Sequence, residues 1–550
     1  LKPVLSLQKL RGGYYTPQPI ADFLAGWAIQ SPDTEVLEPS CGDGALLEAA
    51  LKSLCAKGIE PQQAANLLHG VEIDAGEGQK ALARLQTYKL NGASLIRTGD
   101  FFAYCRTHLT QRRLFDAVIG NPPFIRYQNF PEEQRANAFL LMRQAGLHPN
   151  RLTNSWVPFL VASSLLLREK GRLAMVIPAE LLQVNYAAEL RHFLSEYYSC
   201  LTLITFRKLV FAGIQQEVVL LLGEKNGHEK TGIRTIELNG IEDLAAYQQQ
   251  TPPTSPLKPL DHSAEKWTKY FLAPEEILLL RELRQHPALT KSGDAIDVDV
   301  GIVTGQNDFF VLNDQQAEAL ALKPLTHRIV SRSAHLKGVI FSGDDWQRNV
   351  AQGFPVHLLN LPDAPFPELP MPARAYVTQG ETQALHQGYK CRIRRRWYVV
   401  PSLWTPPAFM LRQVHLYPKI ILNEAAATCT DTIHRVRWRN SMNGKTVAAA
   451  FLNSLTFAFA EVTGRSYGGG VLELEPNEAE RLPLPLQNGE QLDLSQIHQL
   501  LLHEDINAVL DITDQTLLRD GLGLSEGQVK QLRGIWHKLR DRRINRKHKR

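Results

Sequence analysis

The chain has 550 residues, longer than one ordinary hydrophobic core, so two or more domains are expected. Its 44% hydrophobic and 21% charged residues give a globular balance; no apolar run reaches the roughly 18 residues of a membrane span, and Leu1-Lys2-Pro3 opens no signal peptide, so no membrane partner is expected. The net charge of +5 is uneven: residues 538–550 hold eight basic residues against Asp541, a pattern that suits either a nucleic-acid contact or a solvated, disordered end.

Cysteines stand at 41, 55, 105, 200, 391 and 429 with no Cys-x-x-Cys pair. That spacing argues against a disulfide framework or zinc ribbon, predicts no metal site, and suits a reducing cytoplasm.

Val36 to Gly44 reads as a strand ending in a glycine loop, with a helix from Ala45 to Leu54. Gly42 and Gly44 would let backbone approach a ligand at the strand's carboxyl edge. The second strand, Leu68 to Asp74, brings an acidic end about thirty positions later, where nucleotide-binding α/β sheets place a carboxylate against ribose hydroxyls. The third, Ser94 to Thr98, leads into Gly99-Asp100-Phe101-Phe102; Asp100 could accept from an adenine amino group and Phe101 pack on its ring.

The fourth strand, Phe115 to Ile119, leads into Asn121-Pro122-Pro123-Phe124. A planar aromatic amine is a poor nucleophile because its lone pair is delocalised. A site that alkylates it needs acceptors for both amino hydrogens, so that the nitrogen can pyramidalise. The Asn121 side-chain oxygen and Pro122 carbonyl could be those acceptors; neither proline has an N–H, and Phe124 offers a face for an extruded base. Alone, the tetrapeptide could equally be a turn after a buried strand. A core helix is predicted over 156–168, followed by strands at Ala174–Ile177 and Val218–Leu222, where the alternation ends.

These blocks, in this order, resemble the S-adenosylmethionine-dependent adenine-N6 DNA methyltransferases of type II restriction-modification systems, in the group with the cofactor motif first and a target-recognition domain last. Gly13-Tyr14-Tyr15-Thr16-Pro17 looks like the family's N-terminal cofactor-contacting segment, and Gly171 to Pro178 like the strand beside the target-base pocket. The resemblance implies a Rossmann-like class I α/β methyltransferase domain and a mixed α+β recognition domain. It also implies that Thr16 and Glu38 contact the cofactor's methionine end, Glu72 its ribose, Asp100 and Phe101 its adenine, and Pro123 its ring, with Ser40, Gly42 and Ile73 in the same site. Asn121, Pro122 and Phe124 would be catalytic. Phe211, in Leu209-Val210-Phe211-Ala212-Gly213, would stack on the other face of the flipped adenine, although a Phe before an apolar strand is also a common core residue. Phe124 stands where the family often has Tyr; stacking uses the ring face, so the change is expected to be tolerated. Cys41 lies in the glycine-loop motif, but methyl transfer from a sulfonium needs no covalent enzyme intermediate, and the thiol is expected to fill space.

The expected organisation is a catalytic domain over 1–245, a linker over 246–290 centred on Gln248 to Pro256, a recognition domain over 291–490, and a helical extension with the basic tail over 491–550. Gly301 to Phe310, Arg392-Ile393-Arg394-Arg395-Arg396-Trp397-Tyr398, Ile421 to Arg435 and Gly464 to Gly470 resemble recognition-domain segments. Arg394, Arg395, Arg465, Ser466 and Tyr467 are the candidate DNA contacts, against the alternative of core aromatics and a solvated basic face.

The resemblance implies S-adenosylmethionine as cofactor, double-stranded DNA as substrate, a separately encoded restriction endonuclease as functional partner, a monomer, and a bacterial cytoplasmic location at the nucleoid. Cytosine-N4, RNA-adenine and protein-glutamine methylation remain chemical alternatives; the length beyond the catalytic fold disfavours the last two, and the family's preference for Ser at the Asn121 position disfavours the first. A binding protein with a degenerate fold would need a broken cofactor site, and Glu38, Glu72, Asp100 and Asn121 are intact. No nuclease is expected ahead of the motif near residue 13, and no carboxylate–lysine nuclease cluster is read after it.

Overall fold

Strands buried on both faces need helices on both sides, and the first third of the chain supplies them in alternation. β1 (Val36–Glu38), β2 (Leu68–Glu72), β3 (Ile96–Thr98), β4 (Phe115–Gly120), β5 (Leu167–Pro178), β6 (Cys200–Phe206), β7 (Val218–Glu224) and β8 (Gly232–Leu238) form one sheet in the order 3-2-1-4-5-7-6-8. All pairings are parallel except those of β7, which runs antiparallel to β5 and β6. The order reverses between β1 and β4, so the crevice outside their carboxyl ends is the natural ligand site. The computed structural model describes residues 14–88, 95–208, 210–211, 217–226, 231–249, 255–260, 265–467 and 469–545.

Helices α1 (Gln18–Ala28), α2 (Ala45–Cys55), α3 (Ala75–Gln86), α4 (Phe101–Thr110), α5 (Glu132–Gln144) and α6 (Trp156–Leu165) accompany the first five strands. The acids at two strand ends start the next helices: Asp74 accepts from the amides of Gly76 and Glu77, and Asp100 from those of Phe102 and Ala103. Gly44 has φ +80°, and a Cβ there would lie 2.8 Å from the Ala81 Cβ, so glycine alone lets α2 and α3 pack this closely. α6 stops at Leu165, short of the predicted 168, because Arg168 already lies in β5 and bonds Glu35 and Asp116.

Three further expectations are corrected. The sheet continues past Leu222 into β8, whose Ile233 and Ile236 are buried. The segment 246–290 is not a linker in its described parts: Lys258 pairs with Ile233, Trp267, Tyr270 and Leu272 are buried, and Pro274–Arg284 is a helix. Its polar, proline-rich composition hides three large core side chains; Gln250 to Thr254 lie outside the described residues. Two compact units divide between Pro274 and Glu275, with 467–469 and 545–550 grouped with the first.

The second unit is mixed α+β, built on a five-stranded sheet (Ile296–Val300, Ile433–Trp438, Ala408–Leu411, Ile420–Asn423, Ile340–Phe341) and smaller sheets. The third correction concerns its end. Lys538 to Arg543 belong to the helix Glu526–Ile544, not to a disordered tail. Lys538 bonds Glu276, and Arg543 is 3% exposed against the equally buried Glu461. Gly470, at φ +75°, lets its backbone approach Ile544, so part of the glycine run serves this unit's own helix. Arg546 to Arg550 lie outside the described residues.

Candidate active site

The turn after β4 carries the most specific geometry. The Asn121 amide nitrogen donates to the Tyr14 carbonyl at 2.9 Å and to the Thr16 hydroxyl at 3.2 Å. Both amide hydrogens are thereby engaged, which fixes the group's orientation and leaves its oxygen to accept from a ligand. The next residues are clamped from behind. Ser155, at the start of α6, donates from Oγ to the Pro123 carbonyl, accepts there from the Ile125 amide at 2.9 Å, and donates its own amide to the Ile125 carbonyl. Among the described residues no donor meets the Pro122 carbonyl.

A cavity of about 460 Å³ opens at this edge of the sheet. It brings together eight of the residues read from sequence: Ser40, Gly42, Glu72, Ile73, Asp100, Phe101, Asn121 and Pro123. The Glu72 carboxylate is held rigid by the amides of Gly42 at 2.8 Å and Asp74 at 2.9 Å, one on each oxygen. Each oxygen keeps a second lone pair for a hydroxyl donor. Burial pushes the Asp100 carboxyl above its usual range despite donors from Phe102, Ala103 and Asn137. Phe101 stacks on Phe159 at 5.3 Å, a flat apolar wall.

Five sequence candidates do not line this cavity. Thr16 touches it through Asn121. Pro122 is buried. Phe124 is half-buried, packed on one side against the apolar core cluster, and Phe211, 8% exposed, is a member of that cluster, so the Phe211 ring does not stand free as a stacking face. Glu38 is 2% exposed. Burial, then the nearby Asp43 and Glu72 carboxylates, raises its pKa well above the ordinary value, and its Oε2 meets no partner among the described residues. Burial beside Glu38 and Glu72 likewise holds the Cys41 thiol protonated, which suits packing and not nucleophilic attack.

Sequence reasoning missed the roof of the cavity, Asn129, Phe130, Pro131 and Gln134, which come from the excursion between β4 and α6. It also missed the clasp at the mouth. Tyr15 donates to Glu77 at 3.0 Å, and Lys80 donates to both, at 3.1 Å and 2.7 Å. The i, i+3 spacing of Glu77 and Lys80 on α3 was the available signal.

In the second unit the arginine candidates turn largely inward. Arg394 donates to the carbonyls of Val303, Thr304 and Trp397, and Arg465 to buried Glu478 at 2.9 Å. Arg395 is exposed; Ser466 lies on the strand Arg465–Tyr467, and the Tyr467 side chain lies outside what the structure describes.

Residues 5–261 match the family model of the N-6 DNA methylases, and residues 264–518 that of the C-terminal domain of the type II methyltransferase M.Eco57I. The first part of the chain is an N-6 DNA methylase domain, followed by a type II methyltransferase C-terminal domain. The methylase is 22% identical to the type II methyltransferase M.AccI of Acinetobacter calcoaceticus, over 90% of this chain and 87% of that one. It is 23% identical to M.BstVI of Geobacillus stearothermophilus, over 76% and 80%. Its fold superposes on the type IIL restriction-modification enzyme MmeI, solved in complex with DNA, with a TM-score of 0.59 at 11% identity, covering 98% of the methylase and 77% of MmeI. The sheet with antiparallel β7 is the class I S-adenosylmethionine-dependent methyltransferase fold, and a type II methyltransferase C-terminal domain follows it.

Proposed function

We propose that this methylase transfers a methyl group from S-adenosylmethionine to N6 of an adenine flipped out of double-stranded DNA. It would do so at one short sequence, in the bacterial cytoplasm, shielding host DNA from a separately encoded endonuclease. The observation that carries the reading is the Asn121 amide, whose two donors are tied to Tyr14 and Thr16 so that its oxygen is left to accept, at the edge of a cavity that also holds Glu72 and Asp100.

The cavity suits the cofactor chemically. Glu72 offers fixed acceptors to ribose hydroxyls, Ile73 and Phe101 offer apolar walls to adenine, and the carboxylates favour a cation. The cofactor supplies an electrophilic methyl on a positively charged sulfur. The chain's own work is on the amine: Asn121 Oδ1 and the Pro122 carbonyl accept its two hydrogens, drawing the nitrogen out of the ring plane so that its lone pair points at the methyl. Ser155 holds the turn so that these acceptors need not reorganise as charge develops.

The test is base-resolved sequencing of DNA from bacteria expressing the protein, with transfer of labelled methyl by the purified enzyme measured alongside. N6-methyladenine at one recurring sequence is the expected result. N4-methylcytosine, or label found on RNA or protein and not on DNA, would overturn the reading.

A further inference from the structure

The basic run near residue 394 divides into two sets with opposite fates. Arg394 and Arg396 are drawn inward, the first onto the Val303 and Thr304 carbonyls and the second onto Asp363. Lys390, Arg392 and Arg395 are exposed, and among the described residues none of them pairs with a carboxylate. Between these cations stand two large apolar side chains that the fold leaves in water, Tyr389 at 65% and Ile393 at 60% exposure. The Ile393 amide donates to the Tyr389 carbonyl, so the two lie one helical turn apart on the same face.

The turn is also stiff. Cys391 is fully buried beneath it, and a Cβ on Gly305, itself at φ +80°, would lie 2.7 Å from the Lys390 Cβ. Lys390 lies over the Tyr389 ring at 5.8 Å, so ridge and cation are already joined. A rigid apolar ridge flanked by cations without carboxylate partners loses little entropy on docking to a polyanion that has apolar faces between its charges.

We propose that the turn 389–395 is a DNA-contacting ridge of the second unit, in which Lys390, Arg392 and Arg395 meet phosphates while Tyr389 and Ile393 pack against bases. This rests on the reading that the substrate is DNA. It moves the contact from Arg394, whose guanidinium holds the ridge to the loop at 303–304, to the residues around it. The two sets then do separable work: cations give salt-dependent affinity, and the apolar pair gives contact that salt does not screen.

The full-length protein with Lys390, Arg392 and Arg395 all changed to Ala should bind duplex DNA with a salt slope shallower by about 0.9 for each phosphate that is no longer neutralised. The Tyr389→Ala, Ile393→Ala pair should weaken binding by roughly ten-fold or more and leave that slope unchanged. All five side chains are exposed, so both variants should keep the wild-type melting temperature, read in the same preparation. An unchanged slope in the first, or unchanged affinity in the second, overturns the ridge. If wild type methylates adenine in DNA while both variants bind as it does, the ridge alone falls; if wild type neither binds nor methylates DNA, the functional reading falls first.

Discussion

At the carboxyl edge of the first unit's sheet, Glu72, Asp100 and Asn121 each stand at or just past the end of a strand and face one cavity, whereas in the second unit Arg394, Arg465 and Arg543 turn back onto their own chain. All six stand out in the sequence. The difference lies in what fixes a side chain's direction. A short residue after a parallel strand has little freedom, because the sheet's topology sets where the strand ends. A long guanidinium on a loop or helix can reach any carbonyl or carboxylate within several ångströms, and its five donors make internal bonding competitive with solvent.

The comparison is broken most severely at Asn121. Asn121→Ala should lower methyl transfer by about 10²-fold or more, since it removes an acceptor for developing charge, with cofactor affinity held within a few-fold. Single-turnover rates beside calorimetric titration of S-adenosylmethionine separate the two; activity close to wild type would take Asn121 out of the mechanism.

In the second unit the corresponding damage is to stability. Arg543→Ala leaves Glu461 buried without its partner, at a cost of about 3–5 kcal/mol. Denaturant unfolding of the full chain should show it. Equal stability of wild type and Arg543→Ala would mean that the helix end is ornament after all, and return its charge to the DNA.

Thr16→Val sharpens the first half of the contrast. It removes one acceptor from the Asn121 amide with little change of volume, worth about 1 kcal/mol and so several-fold to ten-fold in kcat. Thr16→Ser should restore the rate. A Val variant that changes only the cofactor KM would make Thr16 a binding contact and not a positioning one.

The smallest effect expected is at Glu38, whose carboxyl burial, with the nearby Asp43 and Glu72 carboxylates, pushes well above the usual carboxylate range. The unfolded chain ionises it near pH 4.3 on the scale of about one unit. Stability from the neutral form is therefore full below that pH and falls away as pH rises through the raised folded value. Glu38→Gln should flatten this decline in the cofactor-free protein, by a few degrees of Tm at most as pH rises above the unfolded value. A mutant with the same pH dependence as wild type would show that Glu38 is ionised in the fold.

The sheet, its order of motifs and the existence of a second α+β unit were legible because strand periodicity and glycine turns are local signals. Less so were the environments of single side chains. Glu38 and Phe211 sit in motifs yet are buried, and nothing nearby in sequence marks which neighbours will cover them. The stretch around Trp267 was obscured by polar composition, because its buried apolar side chains, Trp267, Tyr270 and Leu272, stand among lysines and prolines. The clasp of Tyr15 on Glu77 and Lys80 joins positions more than sixty apart, a distance that no periodicity reports.

Ser155 and Ile125 close a ring. The chain leaves the turn of Asn121 to Phe124 at Ile125, forms the roof over the cavity and α5, and returns at Ser155, where backbone and hydroxyl bonds join the two ends. The intervening residues are in effect a cassette with a shared splice point, held at its base independently of what lies within. A change of length or sequence within it would reshape the ceiling through Asn129, Phe130 and Gln134 while the bonds at Ser155 hold the Asn121 turn in place. Access to the cavity can therefore be retuned without disturbing the turn beneath it.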